Sequence, residues 1–258
     1  MRILLVNSNT SDFVTDKVCQ EARQAASPGT EIVPVTGTFG ARVIGTRSEN
    51  AIAQHATLAL VAEHAADCDA VLIAVSYDTA LQAARELLPI PVVGMTEAAL
   101  LTGCMLGGRI GVVVFGRRVL PPYQELVAAY GLSQRVAGWR VIDNNAPYAP
   151  GDQSEVERLL IDTANELVEQ DYAETVLLSG AVMAGVPARL QNAVPVPLLD
   201  GIRCGVQQAE LLVHLNLPKP RVGSYAPPPQ RELVAVSPAL ANAFATVGSA
   251  SSSTEDSS

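Results

Sequence analysis

Short apolar segments alternate with longer segments of helical periodicity along most of this chain of 258 residues. Residues 70–74 (AVLIA) are apolar at every position, which is typical of a strand that is buried on both faces of a parallel sheet. Residues 48–66 instead place alanine and leucine side chains on one face of a helix. Repeated alternation of this kind predicts an α/β fold in which helices flank parallel sheets.

The order of these segments occurs twice in the chain. Residues 48–93 and 153–199 each contain a long helix, an apolar strand, a polar loop, a short helix and a strand flanked by proline. The two apolar strands end at Val75 and Gly180, which occupy equivalent places in the repeat. We interpret the repeat as an internal duplication, and we expect two pseudo-symmetric lobes with the active site in the cleft between them.

The repeat also suggests where the lobes begin and end. Residues 1–96 together with 201–236 are predicted to form the first lobe, and residues 97–200 the second. Residues 237–258 are expected to form a tail that contains a short helix near residues 237–245. The last residues of the tail, about 11 in number, are rich in serine and are expected to be disordered.

Composition narrows the classes of function. The chain has 17 Lys and Arg against 26 Asp and Glu, a net charge of −9, and no basic cluster, so we expect no nucleic-acid partner. No apolar run approaches the roughly 18 residues of a transmembrane helix, so we expect no membrane partner. The first residues lead directly into a strand and not into a signal peptide, which favours the cytoplasm. The four cysteines form no CxxC pair and only three histidines are present, so we expect no metal.

Polar and small residues follow the ends of the predicted strands. In open parallel sheets ligands bind beyond the carboxyl ends of the strands, where helices that begin there offer free N–H groups to an anion. We therefore expect substrate contacts from four segments of this kind. The candidate substrate-binding residues are Asn7, Asn9, Thr10, Val75, Thr79, Thr96, Glu97, Ser179, Gly180 and Ala181.

The most polar cluster at a strand end supplies the candidate catalytic residues, which are Ser76, Tyr77 and Asp78. Ser76 has the chemistry of a nucleophile or of a hydrogen-bond donor, and Tyr77 that of a general acid or of a lid over the ligand. Asp78 is either a base or the N-cap of a helix that begins at Thr79.

Four of the candidate binding residues also have two interpretations each. Asn7 and Asn9 either donate to a substrate carboxylate or form a turn before the first helix. Thr96 either caps a helix or contacts the ligand. Glu97 is either a general base or an acid that the helix dipole favours in a first turn.

Three segments, in this order, resemble the aspartate/glutamate racemase superfamily and are similar to its hydantoin racemase branch. They are residues 6–11 (VNSNTS), 78–86 (DTALQAARE) and 91–99 (PVVGMTEAA). The resemblance covers roughly residues 1–215. It implies a two-lobed homo-oligomeric enzyme that needs no cofactor and acts on a small anionic or cyclic amide substrate. It also implies one cysteine from each lobe, acting as acid and base on opposite faces of the substrate α-carbon.

Both cysteine positions of that pattern are occupied by other residues here. An ungapped alignment puts Val75 at the first position, and a shift by one residue puts Ser76 there. The corresponding alignment in the second repeat puts Gly180 at the second position, with Ser179 beside it. We therefore expect a pocket without the two-thiol mechanism, in which Ser179 and the backbone at Gly180 form an oxyanion-type site.

Three functions are compatible with this pattern. The first is a cofactor-independent enzyme of the racemase/isomerase superfamily that acts on a small carboxylate or hydantoin-like cyclic amide through an enolate-like intermediate. The second is a one-sided hydrolase, decarboxylase or lyase that uses Ser76, Tyr77 or a bound water. The third is a small-ligand sensor without catalysis. Turnover, and exchange of the substrate α-proton with solvent, distinguish the three.

Overall fold

The computed structural model describes residues 1–143 and 152–246, which form two four-stranded parallel sheets flanked by helices. The first half contains strands β1 (Arg2–Asn7), β2 (Glu31–Thr36), β3 (Ala70–Ile73) and β4 (Val92–Gly94), with helices α1 (Asp12–Ala25), α2 (Arg47–His64), α3 (Leu81–Leu87) and α4 (Met95–Leu106). The second half contains strands β5 (Ile110–Phe115), β6 (Val136–Ile142), β7 (Thr175–Leu178) and β8 (Leu198–Leu199), with helices α5 (Leu120–Ala129), α6 (Ser154–Asp171), α7 (Val186–Leu190) and α8 (Gly201–Leu215). A last helix, α9 (Pro238–Thr246), follows.

Each half of the chain builds one sheet, and the two sheets have the same topology. The strand order is β2-β1-β3-β4 in the first sheet and β6-β5-β7-β8 in the second, and neighbouring strands are parallel. Every residue of β3 and β7 is buried, as the apolar runs in the sequence predict. The predicted α/β fold, with two similar units of parallel sheet flanked by helices, is confirmed.

The two halves exchange their last helices. Helix α4 follows β4 of the first sheet but packs against β5 and β7 of the second, while α8 packs against α1, β3 and β4 of the first half. The two helices also pack against each other. A Cβ atom on Gly205 would lie 2.5 Å from Cδ1 of Leu72, and one on Gly103 would lie 2.8 Å from Cδ1 of Leu199. The predicted lobe boundaries near residues 96 and 201 stay a prediction.

A buried carboxylate fastens α8 to the first half. Glu210 is buried, and it accepts hydrogen bonds from the backbone N–H of Ser27 at 2.8 Å and from the hydroxyl groups of Ser27 and Thr30 at 2.7 Å. Gln207 donates to the carbonyl oxygen of Ala25, at the end of α1, at 2.6 Å. A buried charge is tolerated when its hydrogen bonds are made, so these bonds hold α8 in one position on the first half.

The chain after α8 crosses the outer face of the first half. The short helix expected near residues 237–245 is present as α9, which packs against α2. Its Leu240 is buried in the same apolar cluster as Leu60 and Leu88. The disorder expected for the end of the tail concerns residues that lie outside the described part of the chain. No helix in the described part is long and apolar enough to cross a membrane.

We expect Gly205→Val to lower the free energy of unfolding by about 1–3 kcal/mol, because the added methyl groups would overpack the contact with Leu72. Leu211→Val, at an exposed position of the same helix, is the control and should change that free energy by less than about 0.5 kcal/mol. Urea denaturation followed by circular dichroism measures both variants. Wild-type stability in Gly205→Val would show that the halves do not depend on this close approach.

Candidate functional site

A small cavity of about 70 Å³ lies where the turns after β3 and β7 meet. Five of the residues predicted from the sequence line it, namely Asn9, Val75, Ser76, Gly180 and Ala181. The remaining lining residues are Val14, Arg42, Val43, Ile44 and Val182. The two turns come from different halves of the chain, so the site exists only when the halves are joined. We refer to this cavity as the cleft.

Ser76 joins the two turns at the centre of the cleft. Its Oγ accepts a hydrogen bond from the backbone N–H of Ala181 at 3.1 Å, and the two residues are 105 positions apart in the chain. The Thr96 hydroxyl donates to the carbonyl oxygen of Ser76 at 2.7 Å and so holds its backbone. A hydroxyl that accepts one bond keeps its own hydrogen for a second, which Ser76 can therefore donate to a ligand.

The two positions at which the family pattern implies cysteine carry no acid or base. Val75 and Gly180 both line the cleft, one from each half. Gly180 has φ +118° and ψ 130°, a backbone conformation that L-residues with a side chain rarely adopt. A Cβ atom there would find space, since the nearest side-chain atom, Cγ of Met183, would be 3.7 Å away. The obstacle to a side chain at this position is therefore the backbone conformation itself.

The four cysteines lie elsewhere in the described structure. Cys19 is on α1, Cys68 precedes β3, and Cys104 and Cys204 are on the packed pair α4 and α8. Burial raises the pKa of the Cys19, Cys68 and Cys204 thiols, which disfavours the reactive thiolate. The described residues also contain no group of three or more His, Cys, Asp or Glu side chains placed to hold a metal ion.

Asn7 holds the loop after β1 from within the protein, whereas Asn9 lines the cleft. Asn7 is fully buried, and its amide donates to Oδ1 of Asn9 at 3.0 Å, to the carbonyl oxygen of Ser11 at 3.2 Å and to Oγ1 of Thr15 at 2.9 Å. Oδ1 of Asn9 also accepts from the N–H of Ser11 at 2.9 Å. Asn9 uses its oxygen in this network, so its NH₂ group is the part that can donate into the cleft. The backbone N–H of Thr10 donates to the carbonyl oxygen of Ala41 at 3.1 Å and secures the neighbouring loop.

That neighbouring loop, residues 37–46, supplies contacts that sequence reasoning missed. Arg42, Val43 and Ile44 line the cleft, and Arg42 is the charged side chain among the lining residues. Arg42 and Val43 are exposed, so the loop forms the outer wall of the cleft. The signal that could have found the loop is its position, because it follows the carboxyl end of β2 as the other site loops follow their strands.

Asp78 does not cap the helix that follows it, contrary to one of the two expectations. That helix begins at Leu81, after Ala80, and has no side-chain cap. The Asp78 carboxylate instead caps α4, because it accepts the backbone N–H groups of Thr96 at 2.9 Å and Glu97 at 2.8 Å. It also accepts the hydroxyl of Tyr130 at 2.7 Å.

The Asp78 carboxyl group lies so close to the end of β4 that a side chain at position 94 would collide with it, which is one reason for glycine there. A Cβ atom on Gly94 would lie 2.4 Å from Cγ of Asp78. Burial raises the pKa of Asp78 to about 7, against the hydrogen bonds, which lower it. Asp78 is absent from the cleft lining, and we interpret it as a group that positions the turn carrying Ser76.

Other candidates make contacts with the protein rather than with the cleft. The ring of Tyr77 packs against that of Tyr123, with centroids 5.2 Å apart, and Thr79 donates to Oδ1 of Asn50 at 2.8 Å. Glu97 forms an ion pair with Arg85. Contact of these side chains with a ligand stays a prediction.

Ser179 is also turned inward. Its hydroxyl donates to the carbonyl oxygen of Val113 at 2.7 Å. This bond uses the hydroxyl hydrogen of Ser179, and the oxyanion-type role expected for Ser179 and Gly180 stays a prediction.

A family model, a curated relative and two solved structures that match this chain are all described as racemases. The family model described as Asp/Glu/Hydantoin racemase matches residues 3–209. The hydantoin racemase of Paenarthrobacter aurescens is 30% identical over 234 residues, covering 90% of this chain and 99% of that protein. The crystal structure of allantoin racemase from Pseudomonas fluorescens superposes with a TM-score of 0.86 at 33% identity, covering 91% of this chain and 100% of that one. For allantoin racemase from Klebsiella pneumoniae the TM-score is 0.88 at 30% identity, with 93% and 98% covered.

We expect the stability of the wild type to fall, relative to Asp78→Asn, as the pH rises from about 4 to about 7. In this window folded Asp78 keeps its proton, whereas in the unfolded chain, with a pKa near 3.8, it has lost it. The relative loss is up to about 4 kcal/mol, since each pKa unit is worth about 1.4 kcal/mol. Urea denaturation of both proteins across this range measures it. Parallel stability curves for the two proteins would contradict the expectation.

Proposed function

The chain belongs to the Asp/Glu/hydantoin racemase family of enzymes, and we propose that it forms an enolate-like intermediate from a hydantoin-like cyclic amide or a small carboxylate without a pair of thiols. The relatives support the substrate class, since hydantoin and allantoin are cyclic amides with an acidic C–H group beside a carbonyl. The observation that carries the proposal is that Ser76, Val75 and Gly180 share one cleft. Proton transfer there has to use a hydroxyl or water.

The cleft offers donors for the oxygen of an enolate. The Ser76 hydroxyl and the Asn9 amide are neutral donors at the lining, and Arg42 brings positive charge at the outer wall. Donors that are held in place before reaction stabilise developing negative charge without reorganisation during the step. The Ala181–Ser76 and Asn7–Asn9 hydrogen bonds hold these two donors in place.

We propose that the proton leaves and returns on the same face of the substrate carbon. Among the lining side chains Ser76 has the only hydroxyl, and no thiol, imidazole or carboxylate joins it among the residues that the structure describes. A hydroxide from solvent beside Ser76 takes the α-proton and becomes water, and the electron pair stays on the enolate. That water then returns a proton to the same face of the carbon, and hydroxide is regenerated. The expected consequence is exchange of the α-proton with retention of configuration.

A second candidate is decarboxylation of a small α-substituted dicarboxylate. The lack of a carboxylate, thiol or imidazole in the cleft lining favours it, because this reaction needs no base. The C–C bond breaks, CO₂ leaves, the electron pair stays on the enolate and a proton from water or Ser76 then reaches the carbon.

The proposal includes three broader features. We propose that the enzyme acts without a metal or organic cofactor, as a homo-oligomer, in the cytoplasm. The resemblance to the racemase superfamily supports the first two features.

In D₂O we expect one enantiomer of 5-methylhydantoin to exchange its C5 proton at least about tenfold faster than it changes configuration, because reprotonation occurs on the face from which the proton left. Proton NMR measures exchange, and chiral chromatography measures configuration. Equal rates of exchange and inversion for both enantiomers would indicate a two-sided racemase. If the protein catalyses neither proton exchange in 5-methylhydantoin nor release of CO₂ from methylphenylmalonate, the result would favour a small-ligand sensor without catalysis.

We expect Ser76→Ala to reduce kcat/KM by about 10²–10³-fold, because it removes a donor to the enolate. Cys104→Ala is the control and should retain activity within about twofold. The 5-methylhydantoin exchange rate is the readout, with circular dichroism to confirm folding. Full activity in Ser76→Ala, or its loss in a folded Cys104→Ala, would place the chemistry elsewhere.

A further inference from the structure

Two adjoining cavities lie beneath the chain segment that follows α8, away from the cleft. Their volumes are about 400 and 220 Å³. They share Leu88, Pro89, Ile90 and Lys219, and neither shares a lining residue with the cleft. The wall they share runs from the end of α3 to the residues before β4.

The walls are mostly apolar. The larger cavity is bounded by Val61 and Ala62 of α2, by Leu87 of α3 and by Ala243 of α9. Leu212, near the end of α8, borders the smaller one together with proline residues. Cavities of a few hundred cubic ångströms with apolar walls and few polar groups are typical of small-molecule sites.

Two cations line these cavities, and they differ in their partners. The guanidinium of Arg85 is paired with the Glu97 carboxylate and donates to the carbonyl oxygen of Val92 at 2.9 Å. The ammonium of Lys219 donates to the backbone carbonyl of Glu86, and it has no ion pair within the part of the chain that the structure describes. Burial lowers the pKa of Lys219, although the Glu86 carboxylate opposes this effect. A half-buried cation of this kind is stabilised by an added carboxylate.

We propose that the two cavities form one binding site for a small amphipathic monocarboxylate, with its carboxylate on Lys219 and its apolar chain along Leu88–Ile90. The charge of Lys219 selects an acid, and the apolar walls select an aliphatic body. The residues that follow α9 do not match this chemistry, because residues 248–258 are mainly serine with two acids. The site is separate from the cleft, so its occupancy does not depend on the proposed reaction.

Isothermal titration calorimetry of the full chain with octanoate tests the proposal. We expect a Kd below about 1 mM, and we expect Lys219→Met, which keeps an apolar stem, to raise it at least about tenfold. Octan-1-ol is the matched probe without charge, and it should bind the wild type and Lys219→Met alike. Ala243→Phe should weaken both probes, because its ring would fill the larger cavity. Lys17→Met is the control for loss of a distant charge and should leave octanoate binding unchanged.

The outcomes separate the alternatives. No octanoate binding up to 10-fold above that Kd, or unchanged binding by both Lys219→Met and Ala243→Phe, would overturn the proposal. Equal weakening of octanoate and octan-1-ol in Lys219→Met would also overturn it, since the carboxylate would then have no specific partner. If Ala243→Phe fails to fold, Ala62→Phe fills the same cavity from α2.

Discussion

The exchange of α4 and α8 between the two halves is the contact on which the rest of the structure depends. Each sheet is covered in part by a helix from the other half, so neither half buries its strands alone. Apolar burial supplies most of the stability but has no direction, and the close approach at Gly205 and the bonds of Glu210 set the position of the helices. The cleft exists because this exchange brings the turns after β3 and β7 together.

In each half an aspartate joins the turn at the cleft to the exchanged helix by accepting backbone N–H groups. The aspartate lies in the turn in the first half and just before the helix in the second. In the first half Asp78 lies in the turn and accepts the first N–H groups of α4. In the second half Asp200 precedes α8, accepts the N–H of Ile202 at 2.8 Å and reaches the N–H of Gly185 in the turn at 2.6 Å. The connection is common to both halves, whereas the residue that makes it differs. This comparison favours a positioning role for Asp78, since the turn it holds carries Ser76.

The sequence predicts the fold well because strands buried on both faces are apolar at every position, and because the repeat shows the order of elements twice. It also predicts the cleft at Val75, Ser76 and Gly180, since strand ends mark binding sites in parallel sheets. It does not predict the direction of side chains within a turn. Positive φ values at Asp78 and Ala80 shape that turn, and within it Tyr77 faces the core and Asp78 faces α4. Such conformations, and the contacts of the 37–46 loop, depend on distant elements that local composition does not encode.

The backbone conformation of Gly180 makes a thiol harder to place in the second turn of the cleft than in the first. At Val75, which is not among the residues with positive φ, a thiol needs only a new side chain. At Gly180 the φ of +118° means that a thiol also needs a rotation of the backbone. That rotation would displace the adjacent Ala181 N–H, which now holds Ser76. A thiol at position 180 would therefore disturb the hydrogen bond that holds Ser76, so the backbone conformation of one residue links the second turn's choice of side chain to the geometry of the first turn.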